Sequence, residues 1–337
     1  MTSLKRSRSL RRGTIASATA VAALTIAACG GGASTTTTKA GGNGDSGGGT
    51  LQTLNLGLVP TADAAPIFVG IQQGFFKDQG LNLKTSRADS GGVILTGVVQ
   101  GSYDVGFIAT PPAIVAASKG LPLVDIAGNA AVDTKSPGNF GVVVKKDSPI
   151  TTYADLIGKT VSTNSLGNLL DLCLRSVLTK ANVEPSGVKI IELPFNQVAP
   201  SLAQGQIDAG SLVDPFLAGA LSTGNFRSIG DMCAQGLPDK STLSSFVASK
   251  QTVSGKSDLI QRFTRGLQRA QAYLNDNPDA FAQIIPTFTQ IPPDAAAKLG
   301  KSVYDSQIDR ASYTQLTELM ARLGQIKSAS DVQGFVQ

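Results

Sequence analysis

Three short stretches hold the residues whose types and spacing could do chemistry. Asp214-Pro215-Phe216 puts a carboxylate beside an aromatic ring, a pair suited to a hydrogen-donating or cationic group and to a planar one. Ser90-Gly91-Gly92 and Asn164-Ser165-Leu166-Gly167-Asn168 each precede an apolar run and so open a helix. The free N–H groups and dipole of a helix start favour an anionic or strongly accepting group. Plainer roles stand beside these: Ser90, Ser165 and Asn168 are N-cap residues by type, Asp214 precedes a proline suited to the first helical position, and Phe216 has the character of a core residue. The chain contains no histidine, which excludes His-based triads, His acid–base chemistry and His metal ligands. Beyond Cys29 only Cys173 and Cys233 remain, and two thiols so far apart make no zinc site. No metal or cofactor is therefore expected. No arginine lies in these joints, with Arg87 and Arg175 the nearest, so a zwitterionic or heterocyclic organic ligand fits better than a small inorganic oxyanion.

The elements that must position these groups are written twice. Gln100–Gly120 (QGSYDVGFIATPPAIVAASKG) and Gln204–Gly224 (QGQIDAGSLVDPFLAGALSTG) are offset by 104 residues and agree at eight of 21 positions, among them Asp104/Asp208, Gly106/Gly210 and Pro111/Pro215. In each copy a helix ends at Gln-Gly, where glycine supplies a left-handed cap. A short apolar strand follows, and proline opens the next helix. Helix–strand–helix with tight joints is the grammar of an α/β sheet, whose ligands bind beyond the carboxyl ends of the strands. Those ends are Ala109-Thr110-Pro111 and Val213-Asp214-Pro215. Further strands are predicted at 54–59, 81–86, 121–127, 140–145, 159–163, 188–193 and 244–250. The first ends at Pro60-Thr61-Ala62-Asp63 and the fourth of the chain at Gly128-Asn129. The crossing into a second lobe is placed at Lys146-Asp147-Ser148-Pro149. Lobe 1 is thus expected to span 53–145 and 246–337, and lobe 2 146–245. From Thr252 the chain reads as helical, with breaks near Pro278, Pro286 and Pro292-Pro293, and these helices are expected to pack on lobe 1 and brace the hinge.

The amino terminus reads as a targeting segment. Lys5, Arg6, Arg8, Arg11 and Arg12 precede an apolar stretch, Thr14–Ala28, too short to span a bilayer. Ile26-Ala27-Ala28-Cys29 resembles a lipobox, which implies cleavage of 1–28 and acylation of Cys29. Residues 29–52 then form a Gly/Ser/Thr-rich tether that cannot bury a core. Five of the 29 cationic residues lie in the removed segment, leaving 24 against 24 acidic ones. The formal charge of +5 belongs to the precursor, and nucleic-acid binding loses its electrostatic support. The expected location is the outer face of the cytoplasmic membrane, where oxidation permits a Cys173–Cys233 disulfide. Cys173 also shares one helical face with Leu170, Leu174, Val177 and Leu178, so a plain core role stands against that pairing.

With these motifs in view, the chain resembles the substrate-binding lipoproteins of ABC importers for nitrate, sulfonate, taurine and thiamine-precursor pyrimidines. The resemblance is carried by PTADAAPIFVGIQQGFFKDQGLNL, GGVILTGVVQGSYDVGFIATPPAIVAASKG, DLIGKTVSTNSLGNLLDLCLRSVL and LAQGQIDAGSLVDPFLAGAL, which cover most of residues 54–225. It implies a two-lobed α/β fold of the type II periplasmic-binding-protein kind. Each lobe would be a mainly parallel sheet flanked by helices, closing on a ligand at the hinge. Its ligand-facing loops map onto Pro60, Thr61 and Asp63; Ser90, Gly91 and Gly92; Ala109, Thr110 and Pro111; Asn129; Asn164, Ser165, Leu166, Gly167 and Asn168; and Asp214, Pro215 and Phe216. The implied function is capture of a small organic solute, sulfonate-like, aromatic or pyrimidine-type, by a monomer that delivers it to a permease driven by a separate ATPase. Two alternatives are a ligand sensor signalling to a partner protein and a thiamine-precursor-pathway enzyme. The missing histidine argues against the enzyme.

Overall fold

Two sheets organise the chain. The computed structural model describes residues 50–337 except 89, 136, 137, 290, 301, 333 and 337. The expected signal segment, Cys29 and the expected tether up to residue 49 lie outside the described residues. Strand β1 (Gln52–Leu58) begins inside the stretch assigned to the tether and buries Leu54, Leu56 and Leu58 completely. Next come α1 (Ala65–Gln72), β2 (Leu81–Arg87), α2 (Gly91–Val99), β3 (Val105–Ala109), α3 (Thr110–Ser118) and β4 (Leu123–Ala131). The second sheet is built by β5 (Phe140–Lys145), β6 (Thr160–Thr163), α4 (Leu169–Lys180), β7 (Lys189–Glu192), α5 (Phe195–Ala203), β8 (Ala209–Val213), α6 (Phe216–Ser222), β9 (Phe226–Ser228) and α7 (Met232–Gly236). The chain then returns through β10 (Thr242–Ser249). It closes with α8 (Lys250–Gly255), α9 (Ser257–Asp276), α10 (Pro278–Phe288), α11 (Pro293–Ala296), β11 (Val303–Tyr304) and α12 (Arg310–Arg322).

The strand orders are β11-β4-β10-β3-β1-β2 and β7-β6-β8-β5-β9. Both sheets are mixed, where mainly parallel sheets are expected from the sequence. In the first, β10 runs antiparallel to β3 and β4; in the second, β5 runs antiparallel to β8 and β9. The reason is the crossings. Each enters its new sheet at the end where the parallel strands finish, so its strand must run back against them. The boundaries move accordingly. β5 pairs with β8 rather than with any strand of the first sheet, so the crossing precedes Phe140 instead of falling at 146. The return strand starts at Thr242 instead of 244, ahead of the lobe boundary expected at 246. Pro286 lies inside α10 and does not break it, whereas Pro278 and Pro293 each open a helix.

The repeated residues now have a physical account. Gly101 and Gly205 adopt φ of 77° and 71°, the left-handed cap that lets helix turn directly into strand. The repeated aspartates fasten that strand to its neighbour. Asp104 Oδ2 accepts the Asn55 N–H at 2.9 Å and Asp208 Oδ2 accepts the Thr160 N–H at 2.8 Å. The backbone N–H of each aspartate returns the bond at 2.9 Å. Gly106 and Gly210 let a helix lie on the strand: an added Cβ would come within 2.6 Å of Ile94 on α2 and 2.3 Å of Val198 on α5. Asp104 is buried and also receives the Lys256 ammonium at 2.6 Å, whereas Asp208 is exposed. Asp104→Ala is therefore expected to cost about 2 kcal/mol in urea unfolding, by removing the buried carboxylate that the Asn55 N–H and the Lys256 ammonium share. Asp208→Ala should cost clearly less, and equal losses would contradict this assignment.

One apolar cluster joins the two sheets. It runs from Ile94, Ile108 and Ile114 through Leu169, Leu170 and Met232, with α3 packed on α4. A second fills the far face of the first sheet with α1, α9 and α10, and a third lies under α5 and α6. The terminal helices thus pack on the first sheet, as expected from the sequence. Cys173 is fully buried on α4 and is bonded to Cys233 on α7, so the core role and the disulfide coexist.

Candidate functional site

β1, β2, β3 and β4 point one way in the first sheet, and β6, β7 and β8 point one way in the second. Their carboxyl ends carry nearly all the residues singled out from the sequence. Asn129 is the exception, since it sits within β4, which runs on to Ala131. The two sets of ends meet through Asn139, just before β5. Its Nδ2 donates to Asp63 Oδ1 at 3.2 Å, and its carbonyl accepts the Asp214 N–H at 2.8 Å.

This junction is a buried knot of acceptors. Asp63 and Asp214 are 6% and 3% exposed. Asp63 Oδ1 also accepts the Ser302 hydroxyl at 2.7 Å. Asp214 Oδ1 accepts the Ala218 N–H and Oδ2 the Gly300 N–H, each at 2.9 Å. The first bond is a cap for α6 and the second ties the carboxyl-terminal segment to the second sheet, so Asp214 is already committed on both oxygens. Burial pushes the Asp63 carboxyl up from its ordinary value. It also raises Asp214, to about 6, with the neighbouring charge of Asp63 adding to the shift. Asn129 is fully buried and likewise committed. Its Nδ2 donates to the Asp63 carbonyl at 2.8 Å and to Ser244 Oγ at 3.2 Å, and its Oδ1 accepts from Gln271 at 3.3 Å. Thr110, at the first position of α3, is buried with its hydroxyl 3.5 Å from that of Ser245, and Pro111 is buried beside it. Pro60 and Thr61 are half-buried.

The joint before α4 departs from the anion-receptive loop expected there. The Leu166 N–H donates to Glu192 Oε1 at 2.7 Å, and the Ser165 hydroxyl donates to the same oxygen at 3.2 Å. The Gly167 N–H donates to Asp171 Oδ2 at 2.9 Å, and Arg175 is spent on the other oxygen of Asp171 at 2.8 Å. Asn168 Oδ1 caps the helix by accepting from Leu169 at 2.7 Å. The chain's own carboxylates thus occupy the donors that a ligand anion would use. Leu166 and Phe216 are exposed, and the Phe216 ring lies 5.1 Å from that of Phe195. In the first lobe Ser90 Oγ accepts from Val93, the cap reading. Ser90 and Gly92 line a shallow depression of about 520 Å³ along α2 with Thr96, Gln100 and Tyr103. Gly91 is half-buried against Ile108. A small cavity of about 20 Å³, room for one water, lies at the crossings between Asn139, Asp231, Cys233 and Ser302.

Sequence reasoning missed Asn139, Glu192, Gly300 and Ser302. Glu192 ends β7 and is the penultimate residue of the strand predicted at 188–193, so it was within reach of the carboxyl-end rule. Asn139 stands at the amino end of a strand, which that rule passes over, and β5 reaches the site only because it runs antiparallel. Gly300 and Ser302 arrive from 86 and 239 residues away from their partners and leave no local signal.

The architecture recurs in known proteins. The chain is 24% identical over 232 residues to the taurine-binding periplasmic protein of Escherichia coli, covering 68% of this chain and 69% of that one. Among solved structures it resembles the periplasmic aliphatic sulphonate binding protein of Escherichia coli, with a TM-score of 0.70, 18% identity and coverage of 85% and 92%. It also resembles the periplasmic nitrate-binding protein of Synechocystis PCC 6803, with a TM-score of 0.66, 16% identity and coverage of 85% and 86%. These likenesses establish the fold as that of periplasmic binding proteins. Residues 61–281, about two thirds of the chain, match the family described as NMT1/THI5 like, and the protein belongs to that family.

Proposed function

We propose that this protein is the extracytoplasmic solute receptor of an ABC importer, acting as a monomer anchored by a lipidated Cys29. The observation that carries the reading is the meeting of the two sets of strand carboxyl ends at Asp63, Asn139 and Asp214, where a bound solute would hold the lobes together. A separate permease and ATPase would receive the solute. The relatives named above are binding proteins rather than enzymes, and the reading assigns no catalytic residue.

The full chain, purified in detergent, is the material for the test. Native mass spectrometry is expected to reveal a co-purified small molecule. Alternatively, one compound from a panel of sulfonates, nitrate, aromatic carboxylates and organic amines should raise the melting temperature. A solute at a hundred times its dissociation constant adds about 2.7 kcal/mol of stability. Failure of every compound, with no co-purified molecule, would count against a solute receptor. Cys29→Ser is expected to release the protein from membranes, and its retention there would overturn the anchor.

A further inference from the structure

Resting on that reading, we propose that the solute is an organic cation rich in N–H donors, such as an alkylammonium, amidinium or guanidinium compound, and not a sulfonate or nitrate. Three independent features of the same rim support it. The first is the fate of the donors. In the second lobe the N–H groups of Leu166 and Gly167 are held by the Glu192 and Asp171 carboxylates. An oxyanion entering there would have to displace carboxylates of its own charge.

The second feature is a surplus of acceptors. Asn139 must turn its Nδ2 toward the Asp63 carboxylate, so its orientation is set by chemistry. Its Oδ1 then points elsewhere, and it has no hydrogen-bond partner in a side chain only 1% exposed. Asn164, just past the end of β6, is half-buried, and its Oδ1 is likewise a buried atom without a hydrogen-bond partner. An unpaired buried acceptor costs roughly 1–3 kcal/mol, and a donor-bearing solute would recover it.

The third feature is the wall. Going across β7, β6, β8 and β5, the rim presents Glu192, Asn164, Asp214-Pro215-Phe216 and Asn139 in succession. The exposed Phe216 ring, stacked on Phe195, offers a π-face on the same rim as Glu192, and an aromatic face with a carboxylate suits an organic cation. The two arginines nearest these joints in sequence are engaged elsewhere: Arg87 donates to the Phe288 carbonyl at 2.8 Å and Arg175 to Asp171.

The test uses isothermal titration of the full chain with two sets of probes. Ethylammonium, guanidinium and benzamidinium chlorides form one set; nitrate, ethanesulfonate and taurine form the other. At least one cation is expected to bind, and Glu192→Gln, whose carboxylate lies at the rim, should weaken it about tenfold or more, roughly 1.4 kcal/mol. The melting temperature of unliganded Glu192→Gln controls for lost stability. Binding of nitrate, ethanesulfonate or taurine but of no cation overturns the cation assignment and leaves the receptor reading standing. Binding of neither set overturns the assignment and counts against the receptor reading as well.

Discussion

Replacing both Cys173 and Cys233 by alanine is expected to lower the unfolding free energy by about 4 kcal/mol. The bond closes a loop of 60 residues, and the chain-entropy relation puts such a closure at about that value. Both sulfurs are also buried in the cluster that joins the two sheets, so their removal adds a packing loss. Urea unfolding of the oxidised wild type against the double variant measures the effect. Reduction of the wild type with a thiol should reproduce most of it, which separates the cross-link from the cavity. A loss below about 1 kcal/mol, or free thiols at both positions in non-reducing peptide mapping of the purified protein, would contradict the bond. The expected consequence for function is local. The bridge pins α7, which follows the second lobe's last strand, onto α4, whose first turn forms part of the rim.

The second large effect is a stability that falls as pH rises above 4. A carboxyl group with a raised folded-state pKa binds its proton more tightly in the native state than in the unfolded one. The native state therefore loses stability as pH climbs from the ordinary carboxylate value toward the folded value. For Asp214 this window runs from 3.8 to about 6 and corresponds to a loss on the order of 3 kcal/mol. Asp63 is shifted in the same direction by burial. Asp125, 1% exposed on β4 and raised by burial to about 8, carries the decline further. Groups lowered by hydrogen bonds work oppositely. Asp155, held at about 2 by the N–H groups of Thr151 and Thr152, contributes stability that is lost as pH falls through its folded value. Thermal unfolding between pH 3 and pH 8 should thus show a maximum near pH 4. Asp214→Asn is expected to flatten the stretch between pH 4 and 6. Asp214→Ala should cost about 2 kcal/mol at pH 5, because the Ala218 and Gly300 N–H groups lose their acceptor. A flat profile for the wild type would show that the knot is wetter than its burial implies.

Asp214 also illustrates why a site is harder to read than a fold. From the sequence it is a cleft carboxylate or a helix cap. In the structure it caps α6 and grips Gly300, a partner 86 residues away that has no motif. The same holds for Asp63, where the partners Asn139 and Ser302 come from a crossing and from the tail.

What the sequence by itself determined is the repeat and the local grammar it encodes. A left-handed glycine cap, an aspartate before the strand, a glycine within it and a proline after it are local requirements of backbone geometry and close packing. They recur 104 residues apart with the same bonds in both copies. Absence of histidine, the balance of 24 basic and 24 acidic residues beyond residue 28 and the family resemblance are likewise readable from composition and order. Only the tertiary structure decided the direction of the crossing strands, the pairing of Cys173 with Cys233 and which groups neutralise the rim. Each of these depends on residues distant in sequence. A strand's direction follows from where the chain enters the sheet, and Glu192 silences the Leu166 N–H because β7 lies beside β6. Spacing along the chain carries no record of such contacts.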